Sequence, residues 1–339
     1  MPSSEGIKYQ KTTLADGLRI VSEKIPTIRS IAIGVWIDVG SRDESKEEAG
    51  ISHFIEHMAF KGTARRSAKE IASFLESLGG SLNAFTSREQ TCYHALVLDE
   101  HLEQAVDILA DIALNPSLSP RNLEKEKSVV IEEIQEVEET PSENVHELFS
   151  ESFWRGQPIG RPIMGNRSNI RRLSRSDLIR FREKHYRSRE VVIAAAGNVS
   201  HKKLVELARK RFHFALGRNS DGKEARSPEK FLLTLFNKKS SQTHLCLGFP
   251  GVKFDDPRRN TLLAVHTYLG GGMSSVLFQK IREEKGIAYS VYTFADFYKD
   301  NGLIGVYLAA DRRRLKAALE IIFRELRRLK KHHGGRISC

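Results

Sequence analysis

Three side chains that can bind a metal ion or take a proton from water stand within five residues of one another. They are His53, Glu56 and His57, in the segment GISHFIEHMAFKGT that begins at Gly50. On an α-helix, which turns by about 100° per residue, the two histidines lie one turn apart and Glu56 falls in the same arc. Two imidazoles at this spacing can bind one zinc ion, and Glu56 is better placed to take a proton from water than to bind the metal. The alternative for these five residues alone is a polar stripe that faces solvent.

A catalytic zinc site takes three protein ligands, so the two histidines require a third. The segment NLEKEKSVVIEEIQEVEE, residues 122–139, is a predicted helix with many carboxylates. Helical phase places Glu126 and Glu133 at the edge of its apolar face, and a carboxylate turned toward a core is costly unless it meets a cation. We therefore predict Glu133 as the third zinc ligand and Glu126 as a partner that supports a ligand from behind. An ordinary acidic helix face is the alternative for the run as a whole.

The elements that position these groups follow from hydrophobic periodicity and turn residues. The pattern predicts strands over residues 31–39 and 191–200 and two strands within 81–98; it predicts helices over 47–60, 67–80, 102–114, 122–139 and 201–212. Residues 215–230 contain two glycines, a proline and many polar residues, which is typical of a linker.

After the linker the order of elements repeats. THLCLGFPG stands where the first strand stood, and TLLAVHTYLGGG stands in place of the helix with the two histidines. A further glycine-terminated helix, two strands and a last helix follow. In this second copy His266 has neither Glu nor His after it at helical spacing. We predict domains over residues 1–214 and 231–339, joined by the linker 215–230, with a catalytic first copy and a non-catalytic second copy that is incomplete at its C-terminal end.

The bulk composition is that of an ordinary globular protein. Hydrophobic residues make up 40% and charged residues 29%, and no apolar run has the length needed to span a bilayer. The first twenty residues contain neither a secretory signal nor an Arg-rich amphipathic presequence. The three cysteines, Cys92, Cys246 and Cys339, have no metal-like spacing and argue against a disulfide framework. We therefore expect a cytoplasmic protein with no membrane partner.

A net charge of +11 raises the possibility of nucleic-acid binding. However, ten Lys and Arg and three acids fall in the last 29 residues, so the rest of the chain is close to balanced. A basic C-terminal helix is typically a solvated face, and the sequence has no groove-reading motif or basic strands interleaved with aromatic residues. We therefore expect no nucleic-acid partner.

Three separate motifs in the same order resemble a known family. GISHFIEHMAFKGT, GGSLNAFTSREQTCYHA and EKEKSVVIEEIQEVEETP are similar to the corresponding motifs of the pitrilysin (insulinase-like) peptidases, whose HxxEH pentad is the reverse of HExxH. The resemblance is strongest to the processing-peptidase branch, which includes the mitochondrial processing peptidase β subunit and bacterial relatives. It implies an α+β fold of two structurally related α/β-sandwich domains, each with an antiparallel-rich sheet covered by helices.

The resemblance also implies roles for individual residues. His53, His57 and Glu133 match the zinc ligands, Glu56 matches the general base, and Glu126 matches an additional glutamate on the third-ligand helix. Two further groups match the family's substrate contacts: the edge-strand residues Asn83, Ala84 and Phe85, and the second-domain pair Arg282 and Tyr289. From sequence alone, a surface salt bridge and a core tyrosine are the ordinary roles of that last pair.

The implied activity is zinc-dependent hydrolysis of peptide bonds, with one zinc ion per chain. The implied substrates are extended, unstructured peptides or presequence-like segments, and the implied partner is a second subunit in a homodimer or heterodimer. A non-catalytic scaffold subunit of the same fold is the main alternative. The sequence leaves open the physiological substrate, the metal used in the cell, the need for a partner, and whether an enzyme with an incomplete second domain is active.

Overall fold

The structure is a computed structural model that describes residues 9–217 and 224–331. Its strands, in chain order, are β1 (Tyr9–Thr13), β2 (Arg19–Lys24), β3 (Ser30–Ile37), β4 (Ser81–Thr86), β5 (Thr91–Leu98), β6 (Val191–Gly197), β7 (Thr243–Pro250), β8 (Ala288–Phe297) and β9 (Gly302–Ala310). Its α-helices are α1 (Ile51–Ala59), α2 (Ala68–Glu76), α3 (Leu102–Leu114), α4 (Pro120–Glu139), α5 (Pro141–Phe153), α6 (Arg167–Arg172), α7 (Arg175–His185), α8 (His201–Arg211), α9 (Arg259–Gly270) and α10 (Leu315–Lys331).

The described chain divides into two compact units. The first contains residues 9–134 and 161–217, and the second contains residues 135–160 and 224–331. Helix α4 therefore begins in the first unit and ends in the second. The domain boundaries at residues 214 and 231 stay a prediction.

The first unit is built on a six-stranded sheet in the order β1-β2-β6-β3-β5-β4. All neighbouring strands are antiparallel except β2 and β6, which are parallel. Because side chains alternate along a strand, Ile31, Ile33, Val35 and Ile37 of β3 share one face, and all four are buried. Among the described residues β4 pairs only with β5, so it is an edge strand with no strand neighbour on its outer side.

Helix α1 turns its apolar side toward the core of this unit. Phe54, Ile55 and Met58 have no exposed surface, and they join one cluster with the buried residues of α3 and of the sheet. Helix α4 contributes Leu123, Val130 and Ile134 to the same cluster. The polar sides of α1 and α4 therefore meet at the boundary of the core.

The prediction of a helix over residues 47–60 was too long at its start. Helix α1 begins at Ile51 because Gly50 adopts a left-handed conformation with φ of 99°. A Cβ atom at Gly50 would lie 2.5 Å from the carbonyl oxygen of Met164, and one at Gly165 would lie 2.1 Å from that of Ala49. The two loops thus touch through their backbones, which fixes where α1 starts.

The second unit repeats the layout around a three-stranded sheet, β7-β9-β8. Along β9, Val306, Leu308 and Ala310 join the core made with α9 and α10. On the opposite face, Tyr307 stacks on His146 of α5, with 5.3 Å between the ring centroids. A sheet covered by helices therefore recurs in both units, and the predicted fold class of two related α+β domains is confirmed.

Several elements in the structure differ from the predicted ones. In the second copy, the predicted glycine-terminated helix SSVLFQKIREEKG (residues 274–286) contains a π-helix over Phe278–Glu283, a form whose wider turn is rare outside functional or strained positions. Helices α5, α6 and α7 were not predicted. Cys92 and Cys246 are free thiols, whereas Cys339 and the rest of residues 332–339 lie outside the described residues.

Within residues 9–217 and 224–331, no helix combines the length and the apolar composition that crossing a membrane requires.

We predict that Gly165→Ala lowers the free energy of unfolding by about 2 kcal/mol or more. Gly165 has φ of 71°, and the added methyl group would meet the backbone of Ala49. The matched control is Gly79→Ala, because Gly79 has φ of 72° and no atom within 4 Å of the added Cβ. The control should cost only about 1 kcal/mol, the price of the backbone conformation. Equal losses of the two variants in urea titrations would contradict the close approach of the loops.

Candidate metal centre

A buried carboxylate holds the first turn of α1. The side chain of Glu44 is 3% exposed. Its two oxygens accept hydrogen bonds from the backbone N–H groups of Gly50 and Ser52, at 2.7 and 2.9 Å. These donors would otherwise lack partners at the start of a helix. The cap comes from outside the helix, and it orients the segment that carries the histidines.

The imidazole rings of His53 and His57 lie beside each other on α1. Their centroids are 4.5 Å apart and their planes are inclined by 60°. Burial, with a smaller contribution from the charge of His57, lowers the pKa of His53 to about 4. His53 is therefore neutral at pH 7, which is the form that can bind a metal ion.

Glu133 of α4 completes a group of three. One ligand atom each from His53, His57 and Glu133 lies within 4.8 Å of the others. The Nε2 atom of His57 is 3.5 Å from Oε2 of Glu133, whose side chain is 37% exposed. The structure thus brings together the three side chains predicted as zinc ligands.

Glu126 contacts the same histidine on its other nitrogen. Nδ1 of His57 donates a hydrogen bond of 3.0 Å to Oε1 of Glu126, and Glu126 is 3% exposed. Burial opposes the charged form of His57, but its hydrogen bond to Glu126 and the charge of Glu133 outweigh burial and raise its pKa. Burial likewise opposes ionisation of Glu126, yet its contacts with His57 and Lys61 lower its pKa. Glu126 therefore points Nε2 of His57 toward Glu133.

Glu56 is held by a strand of the sheet. The hydroxyl group of Thr86, the last residue of β4, donates a hydrogen bond of 2.5 Å to Oε2 of Glu56. Burial raises the pKa of Glu56, and this effect exceeds the opposite one of Thr86. Glu56 is thus a half-buried carboxylate beside the histidines, and its pKa lies above the ordinary value.

The predicted substrate-contact residues of the first unit lie on β4. Asn83 and Phe85 are exposed, whereas Ala84 and Thr86 are partly buried, as alternation along a strand requires. The side-chain oxygen of Asn83 accepts a hydrogen bond of 2.8 Å from the backbone N–H of Ala84. The ring of Phe85 packs edge-on against Trp36, with 5.6 Å between the centroids.

Arg282 and Tyr289 both lie in the second unit and contact each other. The guanidinium carbon of Arg282 is 4.6 Å from the ring centroid of Tyr289 and 4.7 Å from that of Phe278. The side chain of Tyr289 is 75% exposed. The guanidinium group of Arg282 therefore packs against two aromatic rings in addition to its ion pair with Glu283. Tyr289 is not a core tyrosine.

The residues of the first unit fit a zinc ion. Two imidazole nitrogens and one carboxylate oxygen are a donor set that zinc accepts, with a further position left for water. Nδ1 of His53 is buried without a hydrogen-bond partner among the described residues. The second histidine has the carboxylate support that metal-binding imidazoles usually have. No alternative set of three metal-binding side chains occurs in residues 9–217 and 224–331.

Sequence reasoning missed three residues that shape this site: Glu44, Lys61 and Thr86. Thr86 stands in the motif SLNAFTS. Because residues two apart share a face of a strand, Thr86 could have been placed on the same, partly buried face of β4 as Ala84. Lys61 follows the pentad in MAFKGT, and its positive charge so close to the predicted acidic helix was a signal of an ion pair. Glu44 gave no local signal, because it caps a helix that begins seven residues later.

Both halves of the chain match models of known protein families. Residues 19–167 match the model described as Insulinase (Peptidase family M16), and residues 172–334 match the model described as Peptidase M16 inactive domain. The chain therefore belongs to the insulinase family of peptidases, family M16, as the sequence motifs predicted. That family is one of metallopeptidases.

Two bacterial relatives are similar over most of their length. The chain is 41% identical to the uncharacterized zinc protease YmxG of Bacillus subtilis over 323 residues, which covers 95% of this chain and 78% of YmxG. It is also 41% identical to an uncharacterized zinc protease of Mycobacterium leprae over 322 residues, covering 92% of this chain and 71% of that protein.

Among solved structures, a protease from Helicobacter pylori has the same fold. Its TM-score is 0.85 at 23% sequence identity, and the match covers 97% of this chain and 81% of that one.

We predict that Glu44 makes the stability of the protein depend on pH. Burial raises its pKa to about 8, above the ordinary 4.5, despite its hydrogen bonds to Gly50 and Ser52. The folded state therefore binds a proton that the unfolded state has released, and the free energy of unfolding falls as pH rises from 4.5 to 8. The slope due to this group reaches about 1.4 kcal/mol per pH unit. Urea titrations in the presence of a chelator should show a flatter profile for Glu44→Gln, and parallel profiles would contradict the prediction.

Proposed function

We propose that the protein is a zinc-dependent endopeptidase that cleaves extended, unstructured peptides, including presequence-like segments. The observation that carries this proposal is the convergence of His53, His57 and Glu133 beside the basic carboxylate of Glu56. Membership of a metallopeptidase family supports it. His53, His57 and Glu133 would hold one zinc ion per chain, which would make water more acidic and polarise a peptide carbonyl group.

Glu56 has the properties of the proton carrier in this reaction. Its carboxylate accepts a proton from the attacking water and later delivers it to the nitrogen of the leaving amine. Thr86 occupies one of its two oxygens. The other oxygen can therefore serve the transfer while the side chain stays fixed in direction.

The outer edge of β4 supports binding of an extended peptide. Backbone groups along an edge without a strand neighbour can pair with a substrate strand, and such pairing accepts many sequences because it uses main-chain hydrogen bonds. Thr86 joins this strand to Glu56, so a peptide bound along β4 would lie close to the proton carrier. Asn83, Ala84 and Phe85 are the proposed contacts.

The proposed activity uses both domains of the chain. We propose a zinc-binding domain over residues 1–214, a linker over 215–230 and a related non-catalytic domain over 231–339. In that second domain, Arg282 and Tyr289 present a cation and an exposed hydroxyl group that suit a substrate carbonyl.

We propose a cytoplasmic protein that acts as a homodimer or with a related subunit, and light scattering of the purified protein tests the dimer.

A scaffold subunit of the same fold is the second candidate function. The match of residues 172–334 to a domain described as inactive supports it. The presence of His53, Glu56, His57 and Glu133 in the first unit favours catalysis, because a scaffold has no need of this set.

We predict that Glu56→Gln retains zinc but loses peptidase activity by at least about 100-fold, the usual contribution of a proton carrier. Glu133→Ala should lose most of the zinc as well as the activity. Glu132→Ala is the matched control, because Glu132 is its exposed neighbour on α4. Zinc content by mass spectrometry and cleavage of a quenched fluorescent peptide measure the two effects.

The same measurements separate the two candidate functions. A wild-type chain that binds zinc and cleaves no unstructured peptide, alone or with a related subunit, would contradict the peptidase proposal and favour the scaffold. A Glu56→Gln variant as active as the wild type would exclude Glu56 as the proton carrier.

We predict that Thr86→Val lowers kcat by about tenfold or more, since a hydrogen bond to a charged group contributes about 1.5–3 kcal/mol. Valine has nearly the shape of threonine but cannot donate to Glu56. Thr86→Ser, which keeps the hydroxyl group, should restore most of kcat. KM and zinc content should change little in either variant. A fall confined to KM would instead assign Thr86 to substrate binding.

A further inference from the structure

Lys61 lies just beyond the end of α1 and contacts α4 through both its backbone and its side chain. Its carbonyl oxygen accepts a hydrogen bond of 2.7 Å from the side-chain amide of Asn122. Its ammonium group is 2.9 Å from Oε2 of Glu126. Asn122 and Glu126 are four residues apart, so they stand one above the other on α4. Both the backbone and the side chain of Lys61 are therefore bonded to α4, the helix that carries Glu133.

A chain of three polar contacts leads from Lys61 to the metal centre. Lys61 binds one oxygen of Glu126, and the other oxygen of Glu126 accepts the hydrogen bond from Nδ1 of His57. Nε2 of His57 then faces Glu133. Because each carboxylate oxygen has a different partner, the carboxylate plane of Glu126 has one favoured orientation.

The burial of this chain separates it from ordinary surface ion pairs. The side chain of Glu126 is 4% exposed and that of His57 is 17% exposed, whereas that of Lys61 is 36% exposed. A buried carboxylate has few alternative partners, so the loss of one cation leaves an oxygen unpaired. An exposed pair, by contrast, exchanges its partners for water at little cost.

We propose that Lys61 is a positioning residue of the metal centre, which acts through Glu126 to orient His57 for zinc. The inference rests on the proposed function, because it assumes that His57 binds zinc. Lys61 holds the carboxylate of Glu126 in place, and Glu126 fixes the proton of His57 on Nδ1. The lone pair of Nε2 is thereby left free and directed at the metal.

The test is the zinc dissociation constant, measured at pH 7.5 by competition with a fluorescent chelator. Lys61→Met should weaken zinc binding by about tenfold, the smaller of the effects seen when the support of a ligand is removed. Lys61→Arg keeps the charge and should stay within about threefold of the wild type. A loss for Lys61→Arg as large as that for Lys61→Met would overturn the ion pair as the cause.

The matched control is Lys127→Met on α4. Lys127 also binds a glutamate, Glu124, at 2.9 Å, and donates to the backbone oxygen of Arg171. Its glutamate is exposed, and the acidic partners of His57 among residues 9–217 and 224–331 are Glu126 and Glu133 instead. Zinc affinity should therefore not change. A loss equal to that of Lys61→Met would show a general effect of removing lysines and would overturn the proposal.

A double-mutant cycle tests whether Lys61 acts through Glu126. Glu126→Gln alone should weaken zinc binding by about tenfold or more. Adding Lys61→Met to that variant should cause no further loss, because the two residues belong to one chain of contacts. Additive losses would show that Lys61 affects zinc by another route, and they would overturn the proposal.

A second readout needs no zinc. The ¹⁵N chemical shifts of His57 in the metal-free protein, recorded at a pH high enough for the ring to be neutral, report which ring nitrogen carries the single proton. The wild type should show the proton on Nδ1, and Lys61→Met should show a mixture of the two forms. Unchanged shifts in Lys61→Met together with unchanged zinc affinity would overturn the role of Lys61. Zinc binding by the wild type without cleavage would overturn only the peptidase proposal, whereas no zinc binding would overturn both.

Discussion

The structure of the candidate metal centre depends on one electrostatic constraint: carboxylates placed at the boundary of a core must meet positive or donating groups. Helix α1 buries Phe54, Ile55 and Met58 completely, so its orientation is set by the apolar core. The polar residues on its remaining side then have no freedom to move away from α4. Glu126 and Glu133 bring negative charge to that place, and His57 and Lys61 supply the matching donors. Packing thus sets the position, and charge decides which side chains are stable there.

Backbone contacts at the start of α1 add precision that side-chain packing alone does not give. The close approach of Gly50 and Gly165 fixes the residue at which the helix starts. The cap from Glu44 then fixes the direction of its first turn. A shift of one residue would rotate the histidines by about 100° away from Glu133. The site therefore requires an exact helix start, which explains why loops distant in sequence are held so tightly.

The parts of the site that were predictable from sequence are those that depend on local periodicity. The spacing of His53 and His57 and the phase of Glu126 and Glu133 follow from the helix repeat, and helix 102–114 was predicted with its observed bounds. The start of α1 was predicted wrongly because a loop contact sets it. Thr86 and Lys61 were missed because their partners lie on other elements. Sequence patterns describe one element at a time, whereas these contacts exist only after elements meet.

The repeat of the fold shows which of these features belong to the scaffold and which to the chemistry. In the second unit, Thr293 of β8 bonds to Nδ1 of His266 of α9 at 2.8 Å. In the order of elements β8 and α9 stand where β4 and α1 stand in the first unit, so a hydrogen bond between a strand threonine and a polar side chain of the neighbouring helix occurs in both. In the second copy the helix has no further histidine or glutamate at helical spacing after His266, and residues 135–160 and 224–331 contain no group of three metal-binding side chains. The fold alone therefore does not create a metal centre, and a few side chains on α1 and α4 distinguish the first unit from the second.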